Sequence, residues 1–253
     1  MDSMEMRRNA IVELINKNET VSFSQIKEAF PQVSEMTLRT DLKLLDNAKR
    51  IVRIHGGAKS VQMVIGTDDY LSKRSVRNIP EKQFIAEKAL SLLRPDTTIF
   101  IDSGSTTTML AHQFPDQSNL IYTTGLSCAT ELASLSRPTV ILPGGRLNRY
   151  SQSVYGISAV KELERVNFNQ TFLGVTSYHK TTGFTCGSND EAVLKQTAIR
   201  QSEQTIVLID SSKIGEKSTF NICSLAEVDI VVSDGKLSED FLEDCRRFHV
   251  EVL

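Results

Sequence analysis

No stretch of this chain stays apolar for the ~18 residues that a membrane-spanning helix needs, so a membrane partner is not expected. Residues 1–8 are polar rather than charged-then-apolar, unlike a secretion signal, and the expected location is the cytoplasm. Cysteine is scarce: Cys128, Cys186, Cys223 and Cys245 lie far apart, with no CxxC pair or finger-like spacing. Buried free thiols are therefore expected, and a metal is not. The phosphate-cradling pattern GxxxxGK followed by Ser or Thr is missing, as is GxGxxG, which removes nucleotide binding through either motif. GxSxG and HExxH are missing too, and His112, His179 and His249 are scattered. Neither a catalytic residue nor a cofactor is expected. There is no internal repeat and no low-complexity tract.

What is present is an ordinary globular composition. The 253 residues are 40% hydrophobic and 24% charged, enough for two domains. Net charge is only −2, but residues 1–60 carry 10 Lys+Arg against 8 Asp+Glu, while the remainder carries 19 against 23. The front of the chain can thus hold a locally basic surface.

Ile11, Leu14 and Ile15 fall at helical spacing, Val21-Ser22-Phe23 reads as a short extended piece, and Ser24 is a candidate N-cap for a helix through Phe30. Pro31 stops it. Ser34 offers a second N-cap, and Leu38, Leu42 and Leu45 make residues 35–46 an amphipathic helix. Its other face presents Thr37, Arg39, Thr40 and Lys43. Ile51 to Ile54 reads as a strand and His55-Gly56-Gly57-Ala58 as a turn. The succession predicts a winged helix-turn-helix over residues 1–60.

After a polar, weakly patterned linker at 61–80 and a helix over 81–93 ended by Pro95, the pattern changes. Short apolar runs at 99–101, 120–122, 139–142, 171–175, 206–209 and 230–232, with a further one at 250–253, alternate with helical stretches. That predicts an α/β domain over residues 81–253 built on a mostly parallel sheet.

Ligands of such sheets bind beyond the carboxyl ends of the strands. The residues there are Asp102, Ser103, Gly104, Ser105, Thr106, Thr107 and Thr108; Thr123 and Thr124; Gly144, Gly145 and Arg146; and Asp210 and Lys213. Residues 102–108 combine a turn-making glycine with hydroxyls and free N–H groups, which suits a phosphate, although such loops also serve simply as helix caps. Arg146 suits bidentate phosphate contact and Lys213 adds a point charge. Asp102, Asp210 and Glu191 can accept hydrogen bonds from sugar hydroxyls or act as acid and base; alternatively Glu191 starts a helix. His55, beside Gly56-Gly57, either touches a phosphate or packs the turn.

Val33-Ser34-x-x-Thr37-Leu38-Arg39-x-Asp41-Leu42-x-x-Leu45, followed by Arg53-x-His55-Gly56-Gly57-Ala58, resembles the DNA-binding signature of the DeoR family of bacterial transcriptional regulators. Tyr70, Arg74, Asn78, Lys82 and Ile85-Ala86 resemble its linker and first effector-domain helix. Residues 102–107, Gly144-Gly145, Asn189-x-Glu191 and 210–213 resemble its sugar-phosphate-sensing domain. The chain departs from the family pattern at Thr40 and Lys49-Arg50-Ile51, where a second arginine and Gly-x-Leu are usual, and at Thr123-Thr124, where Thr-Asn is usual.

The resemblance implies a sensing domain with the fold of ribose-5-phosphate isomerase and CoA transferases, and repression relieved by a phosphorylated sugar. Ser34, Thr37, Arg39, Thr40 and Lys43 would contact double-stranded operator DNA, with Arg53, His55 and Lys59 in the wing. Arg39 is the candidate for base readout; otherwise it pairs with Asp41 or Glu35. Reading a palindrome needs two heads, hence a homo-oligomer, a dimer or higher. The rivals are a sugar-phosphate isomerase with an appended interaction domain, and a helix-turn-helix used only for protein contact.

Overall fold

The computed structural model describes residues 3–18, 20–48, 50–54, 56–60 and 71–253. The chain forms two compact units, Met1–Asp69 and Tyr70–Leu253.

In the first unit, helix Ser3–Asn18 leads to β1 (Thr20–Ser22), helices Phe23–Ala29 and Glu35–Asn47, then β2 (Val52–Ile54) and β3 (Gly57–Lys59). The second helix is capped by Ser22, not Ser24: the Ser22 hydroxyl accepts from Gln25 N, and Gln25 Oε1 accepts from Ser22 N at 2.9 Å. This reciprocal box needs an extended residue at the cap and Gln three positions on, which places Ser24 already inside the helix. Ser34 caps the third helix as expected, accepting from Thr37 N at 3.2 Å. Leu38, Leu42 and Leu45 bury against Ile11, Ile15 and Ile26. Asp41 is buried among them because Arg7 and Arg8 of the first helix reach it through their Nε atoms at 2.7 and 2.8 Å. Strands pair antiparallel in the order β1–β3–β2. Gly57 is required there, since a β-carbon would collide with the Val21 carbonyl.

The second unit opens with helices Leu71–Arg74 and Ile79–Leu90. Residues 71–80, expected in the linker, therefore fold with this unit. Leu71 is buried and its N–H donates to Tyr150 O at 3.0 Å. Pro80 lies in the first turn of its helix, where its missing N–H costs nothing, so it starts the helix instead of separating segments.

The remaining strands are β4 (Thr98–Ile101), β5 (Leu120–Thr123), β6 (Thr139–Ile141), β7 (Arg146–Asn148), β8 (Ser153–Tyr155), β9 (Gln170–Gly174), β10 (Ser177–His179), β11 (Gly183–Cys186), β12 (Thr205–Leu208), β13 (Phe220–Cys223), β14 (Ile230–Val232) and β15 (Glu251–Val252). Seven form one wholly parallel sheet in the order β15–β14–β12–β9–β4–β5–β6, the seven apolar runs of the sequence. Both faces are covered. Ile99, Ile101, Phe172, Ile206 and Leu208 pack on one side, and Phe100, Leu173 and Val207 on the other. This double burial is why each strand reads as a continuous apolar run. Truncating a large side chain such as Phe100 to alanine costs about 3–5 kcal/mol.

The hairpin β7–β8 and the antiparallel sheet β10–β11–β13 stand apart from this pattern. Tyr178 anchors the latter, its ring 4.9 Å from Phe184 and 4.7 Å from Phe241.

Strand order reverses at β4, with β5 on one side and the later β9 on the other. That is the switch point at which an open α/β sheet leaves a crevice beyond its carboxyl ends.

Candidate functional site

On the first unit, the outward face of helix Glu35–Asn47 carries Arg39, Thr40 and Lys43, all exposed, with Thr37 half-buried and Ser34 at the cap. Arg39 is not paired with Asp41, whose carboxylate is held by Arg7 and Arg8; burial raises its pKa, but those two guanidiniums win and hold it below the ordinary 3.8. Instead the Arg39 guanidinium lies 4.2 Å above the Phe23 ring and 3.9 Å from Glu35 Oε2, an exposed pair that contributes little. Thr40 turns its hydroxyl inward, donating to Met36 O at 2.9 Å. Arg53 projects from β2, its N–H fastened to Asp46 Oδ1 at 3.1 Å. His55 and the side chain of Lys59 lie outside the described residues.

On the second unit, β4 delivers Asp102 to the switch point, where it is buried. Its Oδ2 accepts from Gly174 N at 3.0 Å and pairs with the ammonium of Lys195, which also donates to Gly174 O at 2.9 Å. Burial pushes the Lys195 ammonium toward neutrality, but Asp102 and, one helical turn earlier, Glu191 overcome it and keep the charge. Glu191 occupies the first turn of helix Asn189–Arg200, its N–H directed at the capping Ser188 hydroxyl. The structure therefore draws the helix-start role for Glu191.

Gly104 follows with φ +155°, a conformation that L side chains rarely adopt, and opens helix Ser105–His112 without a side-chain cap. The capping alternative for this loop is thus not what the chain uses: the Thr107 and Thr108 hydroxyls donate back to Gly104 O at 3.0 and 2.7 Å. Ser103, Ser105, Thr106 and Thr107 are all buried, with the positive end of the helix dipole at the loop. Cys128 closes the loop from below, donating to Asp102 O at 3.4 Å; burial pushes its thiol up to about 11, so it is inert.

Lys213, beyond β12, reaches the end of β9, donating to Val175 O at 2.8 Å and standing 3.7 Å from Asp210 Oδ2. Asn78 Nδ2 donates to Asp210 Oδ1 and Ser212 Oγ, each at 3.3 Å. Lys82, buried, donates to the carbonyls of Arg74 and Arg77; burial, then Lys213, push its pKa down to about 8 against the pull of Asp210. The Arg74 guanidinium comes within 4.0 Å of where a β-carbon on Gly104 would sit. Three cations, Arg74, Lys82 and Lys213, thus lie along the loops beyond β4 and β12, with the buried Asp210 carboxylate among them.

The other expected residues are placed differently. Thr123 spends its hydroxyl accepting from Gly125 N at 3.1 Å, and buried Thr124 accepts from Val154 N through its carbonyl at 2.7 Å. Gly144 N donates to Glu162 Oε2 at 3.3 Å. Gly145 and Arg146 line a cleft of about 640 Å³ with Tyr155, Gly156, Ser158 and Asp190. Among the described residues, no cluster of His, Cys, Asp or Glu could hold a metal, and no helix is long and apolar enough to cross a membrane.

Sequence reasoning missed Arg74, Asn78, Lys82 and Lys195 as parts of this site. The signal for Lys195 was available: it sits on the face of its helix shared by Ala192, Leu194 and Ala198, where a lysine must find a counter-charge.

Two family models match the chain: the DeoR-like helix-turn-helix domain over residues 7–64 and the DeoR C-terminal sensor domain over residues 77–235. The HTH-type transcriptional regulator YulB of Bacillus subtilis is 32% identical over 91% of this chain and 89% of its own length. The lactose phosphotransferase system repressor of Staphylococcus aureus is 32% identical over 90% of this chain and 91% of its own. Among solved structures, ribose 5-phosphate isomerase A of Methanocaldococcus jannaschii aligns over 53% of each chain, with 15% identity and a TM-score of 0.38, too distant to carry an argument.

Proposed function

This chain belongs to the DeoR family of helix-turn-helix transcriptional regulators, and from that premise we propose that it represses carbohydrate-metabolism genes under the control of a phosphorylated sugar. The observation that carries the effector class is the cluster of cations beyond the carboxyl ends of the strands. Arg74, Lys82 and Lys213 gather there, Arg74 at the uncapped start of helix Ser105–His112, an arrangement for a phosphate dianion. Buried Asp210 and the hydroxyls of residues 103–107 supply partners for sugar hydroxyls. Asp102, held by Lys195, shapes the loop. The lactose repressor named above supports the carbohydrate reading.

Ser34, Thr37, Arg39, Thr40 and Lys43 face the DNA, with Arg53, His55 and Lys59 in the wing. Arg39 reads a guanine, and Lys43 grips phosphate. Two such heads about one helical turn apart, ~34 Å, require at least a dimer. The effector acts by binding one arrangement of the heads better than another. Residues 71–78, at the start of the sensing unit, are fastened to this cluster by Asn78 and Lys82, so a ligand there is felt where the chain enters that unit. The protein works in the cytoplasm and has no enzymatic activity.

The test is anisotropy binding to the DNA upstream of its own gene, repeated with ribose 5-phosphate, fructose 1-phosphate, glucose 6-phosphate and the unphosphorylated parents. Release by a phosphorylated sugar alone is expected. Indifference to DNA together with turnover of a sugar phosphate would replace this reading with the isomerase one.

A further inference from the structure

We propose that Met36, Thr40 and Leu44 form an apolar stripe on the recognition helix that reads thymine methyl groups in the major groove. The inference deepens the DNA-binding reading above and rests on it. These residues recur at i, i+4 and i+8, so they share one face of helix Glu35–Asn47, turned away from the buried Leu38, Leu42 and Leu45. Met36 is 78% exposed and Leu44 43%. Among the described residues, the buried core of this unit is built without Met36, Thr40 and Leu44. Thr40 completes it chemically. Its hydroxyl is spent on Met36 O, which leaves the γ-methyl as the group it presents outward.

The surroundings identify the occupant. Arg39 and Lys43 run along one edge of the stripe, and the hydroxyl residues Ser34 and Thr37 lie at the helix start. An apolar strip bordered by Arg39 and Lys43 complements a groove whose walls are phosphates, whereas a neutral apolar protein surface would offer the exposed Lys43 ammonium no counter-charge. The first turns of a recognition helix are the ones that meet base edges, and Met36 lies in the first. Within the major groove, thymine is the base that offers a methyl group. Arg39 on a guanine and Met36 on a neighbouring thymine together predict a mixed G·C and A·T half-site.

The experiment is in vitro selection from a randomised duplex library with the full-length protein, followed by affinity measurements on the winning duplex with each thymine replaced by deoxyuridine, which lacks only the methyl. Methyl removal at the contacted position should weaken the unmodified protein about fourfold, the equivalent of one buried carbon. Met36→Ala should be indifferent to that replacement while Arg39→Ala keeps the sensitivity and loses the guanine preference. Met36 is exposed, so its truncation leaves the fold alone. A selected duplex whose affinity is unchanged by deoxyuridine, or falls equally for Met36→Ala, overturns this proposal alone. Failure of the unmodified protein to select any sequence overturns it together with the DNA-binding reading.

Discussion

Lys195 and Asp102 form a buried ion pair across the switch point of the sheet, the ammonium from helix Asn189–Arg200 meeting the carboxylate at the end of β4. Both are almost wholly enclosed, and Gly174 completes the set by donating to Asp102 and accepting from Lys195. Taking either partner away strands the other in a low-dielectric interior. Lys195→Met should cost about 3–5 kcal/mol, whereas adding Asp102→Asn to it should restore part of the loss. Urea unfolding midpoints of the two variants check this, and a double variant no more stable than Lys195→Met would contradict the pairing.

Arg74 approaches the helix start at Gly104, and Lys213 stands beyond β12 against Val175 and Asp210, the two cations proposed to receive the phosphate. Replacing either by alanine should raise the sugar-phosphate concentration needed to release DNA about ten- to a hundredfold, the worth of a charged hydrogen bond. DNA affinity without sugar should stay as it was. Titration of the effector against a preformed DNA complex separates the two quantities.

Lys82 makes stability depend on alkaline pH. Folded, its ammonium gives up the proton near pH 8; unfolded, it holds it until about 10.5. Between those values the unfolded chain binds more protons, so this group's contribution to stability rises as pH increases from 8 toward 10.5. Lys82→Met should lack that rise. Denaturation at pH 7.5, 8.5 and 9.5 provides the comparison.

Asp41 governs the acid limb of the DNA-binding unit. Its folded pKa lies below 3.8, so its stabilisation is complete above that value and is lost as pH falls through the folded one. Asp41→Asn should weaken the tie to Arg7 and Arg8 by about 1–3 kcal/mol at neutral pH. Faster hydrogen exchange in helices Ser3–Asn18 and Glu35–Asn47, with that in β4 unchanged, is the expected result.

Much of this was legible because short-range rules act alone at those places. The Leu38, Leu42 and Leu45 spacing, the Ser34 cap and the seven apolar runs each follow from a helix period, a capping hydroxyl or burial on both faces, and each became the predicted element. The exposed face of helix Glu35–Asn47 followed from the same periodicity, since residues opposite a buried stripe must be exposed. Strand ends such as Asp102 and Lys213 were located by the rule that parallel sheets offer one usable edge.

Tertiary structure alone decided the rest. Strands β7, β8, β10, β11 and β13 are three or four residues long, too short for a period to show, and are fixed by their partners. Lys82 and Lys195 are 8 and 93 residues away from the Arg74 carbonyl and the Asp102 carboxylate they meet. Asp41 pairs not with Arg39, the alternative that sequence proximity offers, but with two arginines more than 30 residues away. Local pattern determines which residues leave water; only the fold determines which opposite charge or carbonyl is there to receive them, because that partner is delivered by a distant element.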